Sequence, residues 1–154
     1  MSTVEIIDKF VGKYSFLNNF YEASIWIDGK QYKTCEHAYQ AHKTLDESVR
    51  ELIRKAKTPI EAKKLGRCIV LRSDWDQVKI QLMRSFIEQK FENPFLGHKL
   101  LETGEIKLVH NNKWNDSFWG ICRGVGENWL GKILEETRTE LRREMKEYER
   151  IQSA

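Results

Sequence analysis

The chain has 154 residues, enough for one compact domain with a real hydrophobic core. With 40% hydrophobic and 32% charged residues and only two prolines, it reads as a helix-leaning globular chain and not a disordered one. Its 26 basic and 23 acidic residues leave a formal charge of +3, too balanced to make it a nucleic-acid binder by charge alone.

Residues 4 to 33 predict strands and turns. Tyr14 to Tyr21 is rich in aromatics, which suggests core packing; Asn18 and Asn19 in its middle can cap a turn or reach a ligand. Ser24 to Ile27 alternates apolar and polar residues, Asp28-Gly29 is a hairpin turn signal, and Lys30 to Lys33 would be the returning strand. Thr34 is a good N-cap, so Tyr32 to Lys43 reads as a strand end feeding a helix with Glu36 and His37 in its first turn. Glu36 and Lys43 are seven apart, about two turns, and share a face with Tyr39 and Gln40 between them. A carboxylate, an amine, a phenol and an amide on one face make either a reaction site or an ordinary polar face.

Asp46 predicts a second helix running to about Lys57. Thr58-Pro59-Ile60-Glu61 starts a third, with Gly66 as its left-handed stop. Cys68 to Leu71 is a strand or a simple connection. Ser73 caps the next helix, whose Val78, Leu82, Phe86, Ile87 and Phe91 recur at helical spacing. Asn93-Pro94 stops it and starts another that closes at Thr103-Gly104. Ile106 to Val109 predicts a strand and Asn111 to Gly126 a loop-rich segment. A long helix then runs from Asn128 to about Arg150, with Leu130, Ile133, Leu134, Thr137 and Leu141 toward the core and a charged, frayed end. The expected fold class is α+β, mainly helical, a single domain with a small N-terminal β-sheet region.

Cys35, Cys68 and Cys122 form no C-x-x-C pair, which argues against a zinc ribbon or redox motif and for free thiols in a reducing cytoplasm. The start of the chain has no basic, apolar signal pattern, and no stretch approaches a membrane span, so a cytoplasmic location and no membrane partner are expected. His37, His42, His98 and His110 make no H-x-x-x-H pair; neither a metal nor a cofactor is expected. No G-x-S-x-G nucleophile motif occurs.

Asn115 to Gly120, N-D-S-F-W-G, and Arg123 to Lys132 form a second notable stretch. Gly124 and Gly126 precede the helix start at Asn128, where free N–H groups can receive an anion, and Arg123 adds a donor fork suited to phosphate. A plain flexible loop explains the same glycines. Asp116 is flanked by Trp114, Phe118 and Trp119. Rings around it would desolvate the carboxyl and favour an acid role, while Glu36 beside a positive helix end should stay ionised. Two carboxylates so separated suit acid–base hydrolysis of a glycosidic bond. Otherwise Asp116 is a turn residue.

F-L-N-N-F at 16 to 20, E-H-A-Y-Q-A-H-K at 36 to 43, L-G-R at 65 to 67, N-D-S-F-W-G at 115 to 120 and G-E-N-W-L-G at 126 to 131, in this order, resemble the YbiA-like proteins of the NADAR superfamily over about residues 10 to 142. Residues 1 to 154 are then one such domain with a charged C-terminal helix end. The resemblance implies an N-glycosidase that cleaves the C–N bond between a ribose and a base-like group. Two phosphate-bearing substrate classes are implied: ribosylamino-pyrimidine intermediates of riboflavin synthesis, and ADP-ribose on guanine, free or in nucleic acid. Asn18 and Cys122 depart from the family's usual Ser and Gly.

The expected catalytic residues are Glu36, Asp116 and Lys43. Expected substrate contacts are Asn19, His37, Tyr39, Gln40 and Arg67 in the first half, with Trp119 stacking on the base and Phe118 pointing the other way into the core. Gly120, Arg123, Gly124, Gly126 and Asn128 complete the set, the Gly124–Gly126 loop cradling phosphate. Lys43 can form a Schiff base with an opened ribose or stay charged; the sequence favours the charged role, because it puts no second cation or apolar pocket around the amine. The alternative to an enzyme is a non-catalytic module that binds ADP-ribose or a nucleotide.

Overall fold

Four of the six helices among the described residues begin where a short polar side chain accepts N–H bonds from the first turn. In a computed structural model, which describes residues 3–154, Thr34 Oγ1 accepts from His37 N at 3.1 Å ahead of α1 (Cys35–Ala41). Asp46 caps α2 (Glu47–Arg54) through Ser48 and Val49. Thr58 caps α3 (Pro59–Gly66) through Glu61, whose own carboxylate reaches back to Lys57 N at 2.9 Å. Helix α4 (Trp75–Phe91) is entered at Asp74 and not at Ser73: the Asp74 carbonyl accepts from Val78 N, and its carboxylate is held by Arg72. Asn93 caps α5 (Pro94–Glu102) through Phe95 and Leu96, and α6 spans Trp129–Gln152.

Two helix ends differ from expectation. Helix α2 stops at Arg54, a turn before Lys57. Gly66 is the last residue of α3 and its φ is not left-handed; Arg67, with φ −75°, is the C-cap. Cys68 to Leu71 is a connection, with Val70 89% exposed, because nothing pairs its backbone into a ladder.

The strands are short: β1 (Ile6–Ile7), β2 (Ile25–Ile27), β3 (Lys30–Tyr32), β4 (Lys107–Leu108), β5 (Asn111–Asn112) and β6 (Ile121–Cys122). The expected hairpin is β2–β3, turned by Asp28 and Gly29 at φ 51° and 76°, the pair of left-handed residues that a two-residue hairpin turn needs. The sheet is not confined to the N-terminal region. β1 pairs in parallel with β4, and β5 in parallel with β6, the latter inside the segment expected to be loop. The fold is α+β and mainly helical.

The chain divides into two compact units. One is Asn18–Lys90, holding the β2–β3 hairpin, α1, α2, α3 and nearly all of α4. Its core includes Ile25, Tyr32, Cys35, Ala38, Ala41, Ile53, Met83, Phe86 and Ile87. His42 is buried among them, its ring 5.5 Å from both Tyr32 and Phe86, and burial holds its pKa below the ordinary value, so the imidazole sits there neutral. Lys90 is also buried. Its ammonium donates to Asn18 O at 2.9 Å, and burial lowers its pKa to about 8.

The other unit is the chain up to Leu17 together with Phe91–Ala154. Residues Gly12–Leu17 make a 3-10 turn that buries Phe16 edge-on to Phe91. Leu96, Leu100, Leu108, Leu130, Ile133 and Leu134 fill the core of this unit. Arg138 is buried here and satisfied, donating to Thr103 Oγ1 at 2.9 Å and to Ile106 O at 2.8 Å. Beyond it α6 is charged and exposed, with Glu140–Arg143 and Glu147–Arg150 pairs one turn apart.

Candidate active site

All seven residues of α1 are buried, so each polar group on it needs a partner. Glu36 N donates to Asn19 O at 3.2 Å, and the Glu36 carboxylate accepts from Gln40 Nε2 at 2.8 Å, one turn on. Asn19 is buried too, its amide 3.4 Å from Met83 Sδ. Asn18 takes the turn role, accepting from Phe20 N.

His37, an expected substrate contact, lies inside the protein. Its ring has no exposed surface, with Nδ1 at 2.7 Å from Thr34 Oγ1 and Nε2 at 3.0 Å from Ala56 O. Both nitrogens are committed inside the protein, and burial lowers the ring's pKa. His37 braces the start of α1.

Lys43 is not on the helix face, because α1 ends at Ala41 and His42 is its cap. It lies in the turn that follows, half-buried, with Nζ 5.2 Å from the centre of the Tyr39 ring; Tyr39 packs at 5.2 Å on Trp75. Burial pushes its pKa below that of an ordinary lysine. Glu36 opposes this, and the positive charges of Lys63, Arg67 and Lys79 add to it. The structure therefore supplies the apolar wall and the cations whose lack in the sequence favoured a permanently charged Lys43.

Lys63 lies on α3 with Nζ 5.9 Å from the Phe20 ring, and Lys79 lies on α4 at 3.1 Å from Asp76. Phe20, Trp75 and Lys79 stand in stretches that carry the family resemblance, F-L-N-N-F and D-W with Lys79, but nothing in the spacing sets them around Lys43; Lys63 is outside those stretches, four residues before Arg67 on α3.

Asp116, Trp119 and the glycine-rich segment belong to the other unit. Asp116 Oδ1 accepts from Phe118 N at 3.2 Å and from Trp119 N at 2.9 Å, the turn geometry its Asn-Asp context allowed. The carboxyl is half-buried and not enclosed by rings: Trp114 is 52% exposed, and Phe118 turns toward Trp119, edge-on at 4.8 Å, and stacks on Trp129 at 6.3 Å. Phe118 does not point away from Trp119 as expected.

The expected phosphate cradle is a tight turn in the structure. Arg123 and Gly124, at φ 51° and 79°, are the central residues of a tight turn closed by reciprocal Cys122–Val125 backbone bonds at 2.9 and 3.0 Å. Gly126 is needed for close approach, since a Cβ there would lie 2.2 Å from Gly120 O. Gly120 is as tightly placed, 2.0 Å from His110 O by the same measure. Four N–H groups at the start of α6 are spent within the chain: Glu127, Asn128, Trp129 and Leu130 donate to the carbonyls of Ser117, Gly120, Phe118 and Trp119. Asn128 is buried, tying His110 N and Leu108 O with its side chain. Arg123 donates to Asn115 Oδ1 at 2.8 Å.

Among the described residues no group of three His, Cys, Asp or Glu could hold a metal ion, and no helix is long and apolar enough to cross a membrane. Cys35 and Cys122 are buried and Cys68 is exposed; none is in a disulfide.

Residues 8–142 match the NADAR domain. The chain is 42% identical over 132 residues to the N-glycosidase YbiA of Escherichia coli, covering 83% of this chain and 82% of that one. It is 38% identical over 133 residues to a riboflavin biosynthesis protein of Vibrio vulnificus, covering 83% of this chain and 36% of that longer one. The NMR structure of the E. coli protein YbiA superposes with a TM-score of 0.83 at 38% identity, over 94% of this chain and 89% of that one.

Proposed function

The chain belongs to the NADAR family, and on that premise we propose that the N-glycosyl bond this hydrolase cuts joins a ribose to a base-like group in a phosphate-bearing substrate. The observation that carries this reading is the setting of Lys43: one amine beside one carboxylate, walled by Tyr39 and Trp75, within the field of Lys63, Arg67 and Lys79. A flat leaving group suits the rings and a phosphate suits the cations. We assign the phosphate to Lys63, Arg67 and Lys79, because their positive charges converge on Lys43.

In this mechanism Glu36 gives a proton to the ribose ring oxygen, the ring C–O bond breaks, and the base nitrogen's lone pair forms a C=N bond to the anomeric carbon. Neutral Lys43 adds to that carbon. A proton moves from Lys43 to the base nitrogen, the bond to the base breaks, and a Schiff base is left on Lys43. Water then adds and releases the open-chain sugar and the amine. Burial and neighbouring cations are what keep a lysine neutral enough for this addition. Asp116 and Trp119 remain proposed contributors, and substitution of Asp116 tests its part.

The similar stretch in the Vibrio riboflavin biosynthesis protein favours a ribosylamino-pyrimidine over ADP-ribosyl-guanine as substrate. Three unpaired cysteines favour the cytoplasm as the compartment. Mass spectrometry after incubation with ribosylamino-pyrimidine phosphates and with ADP-ribosyl-guanosine tests the assignment. Release of the base from the first is the expected result. Both compounds recovered intact, with one of them bound, would establish a binding module instead.

A further inference from the structure

Gln40, an expected substrate contact, has its side chain buried inside the protein. It is 3% exposed, and its amide nitrogen donates to Glu36 Oε1 at 2.8 Å. Its amide oxygen is buried with no hydrogen-bond partner. That oxygen faces Gly66 so closely that a Cβ there would lie 1.9 Å from it and 2.7 Å from the amide carbon. Any side chain at 66 would evict the amide.

A buried orphan acceptor is destabilising, so a chain under no other demand would turn the amide to satisfy it or replace Gln40 with an apolar residue. The alternative orientation shows why it stays. Turned by 180°, the amide would set its oxygen against the Glu36 carboxylate, which repels it when ionised and bonds to it when protonated. An amide carries one donor end and one acceptor end of nearly the same size. The slot beside Gly66 therefore admits both orientations equally well.

We propose that Gln40 is a positioning residue that holds the Glu36 carboxyl in one place through both of its protonation states, donating to the carboxylate and, after a half-turn of the amide, accepting from the acid, in a slot that Gly66 leaves open. The role presupposes Glu36 as the acid–base group of the reaction. It explains the orphaned oxygen, since whichever end of the amide does not face Glu36 must face Gly66. It also gives Gly66 a reason to be glycine that its ordinary helical φ does not supply.

The test uses Gln40→Leu and Gly66→Ala, with Gln40→Asn as a shorter amide should either fail to fold. Titration of the Glu36 side chain is followed by carbon NMR of glutamate-labelled protein, its signal identified by loss in Glu36→Gln. In each variant the Glu36 midpoint is expected to rise, because the charge-assisted bond lost from the carboxylate is stronger than the neutral bond lost from the acid. Turnover is expected to fall by on the order of 100-fold, with KM little changed. An unmoved Glu36 midpoint in folded Gln40→Leu and Gln40→Asn overturns the role, as does a raised KM at unchanged turnover, which would make Gln40 a substrate contact. The NMR readout needs no activity, so a protein that hydrolyses nothing, or a fully active Glu36→Gln, would fail the acid–base reading without deciding this one.

Discussion

Lys43 Nζ stands 5.2 Å from the centre of the Tyr39 ring. A cation over such a ring gains roughly 0.5–1 kcal/mol, which favours the protonated amine. Burial acts in the opposite sense and is the leading influence on this lysine, with Lys63, Arg67 and Lys79 adding to it. The balance falls toward a lysine that loses its proton below the ordinary range.

Borohydride added during turnover should therefore leave a reduced sugar adduct on Lys43, found in a tryptic digest and absent from Lys43→Arg. Activity should rise with pH as the amine deprotonates. Lys79→Met removes one cation that lowers this pKa, so the rising limb should move to higher pH. If no adduct forms and Lys43→Arg keeps partial activity, the lysine serves as a charge.

Glu36→Gln keeps the size of the side chain at a buried position, so the melting temperature should change little while turnover falls by a factor on the order of 100 to 10,000. Full activity in the folded variant removes Glu36 from the mechanism.

For Asp116 two substitutions separate turn from chemistry. Asp116→Asn keeps an oxygen for Phe118 N and Trp119 N, so its stability should match the parent. Asp116→Ala leaves both donors unpaired and should cost about 1 kcal/mol. A loss of activity common to both, measured beside thermal melts, is expected if the carboxylate contributes to the reaction. Activity that tracks only the melting temperature would leave Asp116 with the turn alone.

Lys90 gives a pH dependence of stability. Its pKa is about 8 in the folded chain against 10.5 for an ordinary lysine. Between those values the unfolded chain holds a proton that the folded chain has released, so this residue's contribution to stability rises with pH across that window. Urea melts from pH 7.5 to 10 should show a steeper upward trend, or a shallower decline, in the parent than in Lys90→Met. Parallel curves would mean the buried amine titrates normally.

Activity should survive exhaustive dialysis against EDTA, since the described residues gather no metal-binding cluster. Loss that a divalent metal restores would show that catalysis needs one.

What could be read from the sequence was local. Thr34, Asp46, Thr58 and Asn93 cap helices because a cap bonds to donors two or three residues away, and that distance is visible in the chain. The Asp28-Gly29 turn was legible for the same reason. Two-residue strands carry no periodicity, so β5 and β6 had no signal. Glycine spacing says that backbone comes close to something without saying to what, and here Gly126 meets Gly120 where a phosphate was expected. Lys63, Arg67 and Lys79 bear on Lys43 through the packing of α1 with α3 and α4, which no local pattern encodes.

Cys68 directly follows Arg67 and is the one exposed thiol of the three, while the Cys35 thiol is buried and its pKa raised to about 11, so it stays protonated and unreactive. A maleimide dye added at neutral pH should therefore attach at a single place, beside the proposed phosphate cations. The native chain thus comes with its own reporter position: quenching of that dye would follow occupancy in real time, without a cysteine having to be engineered in or removed.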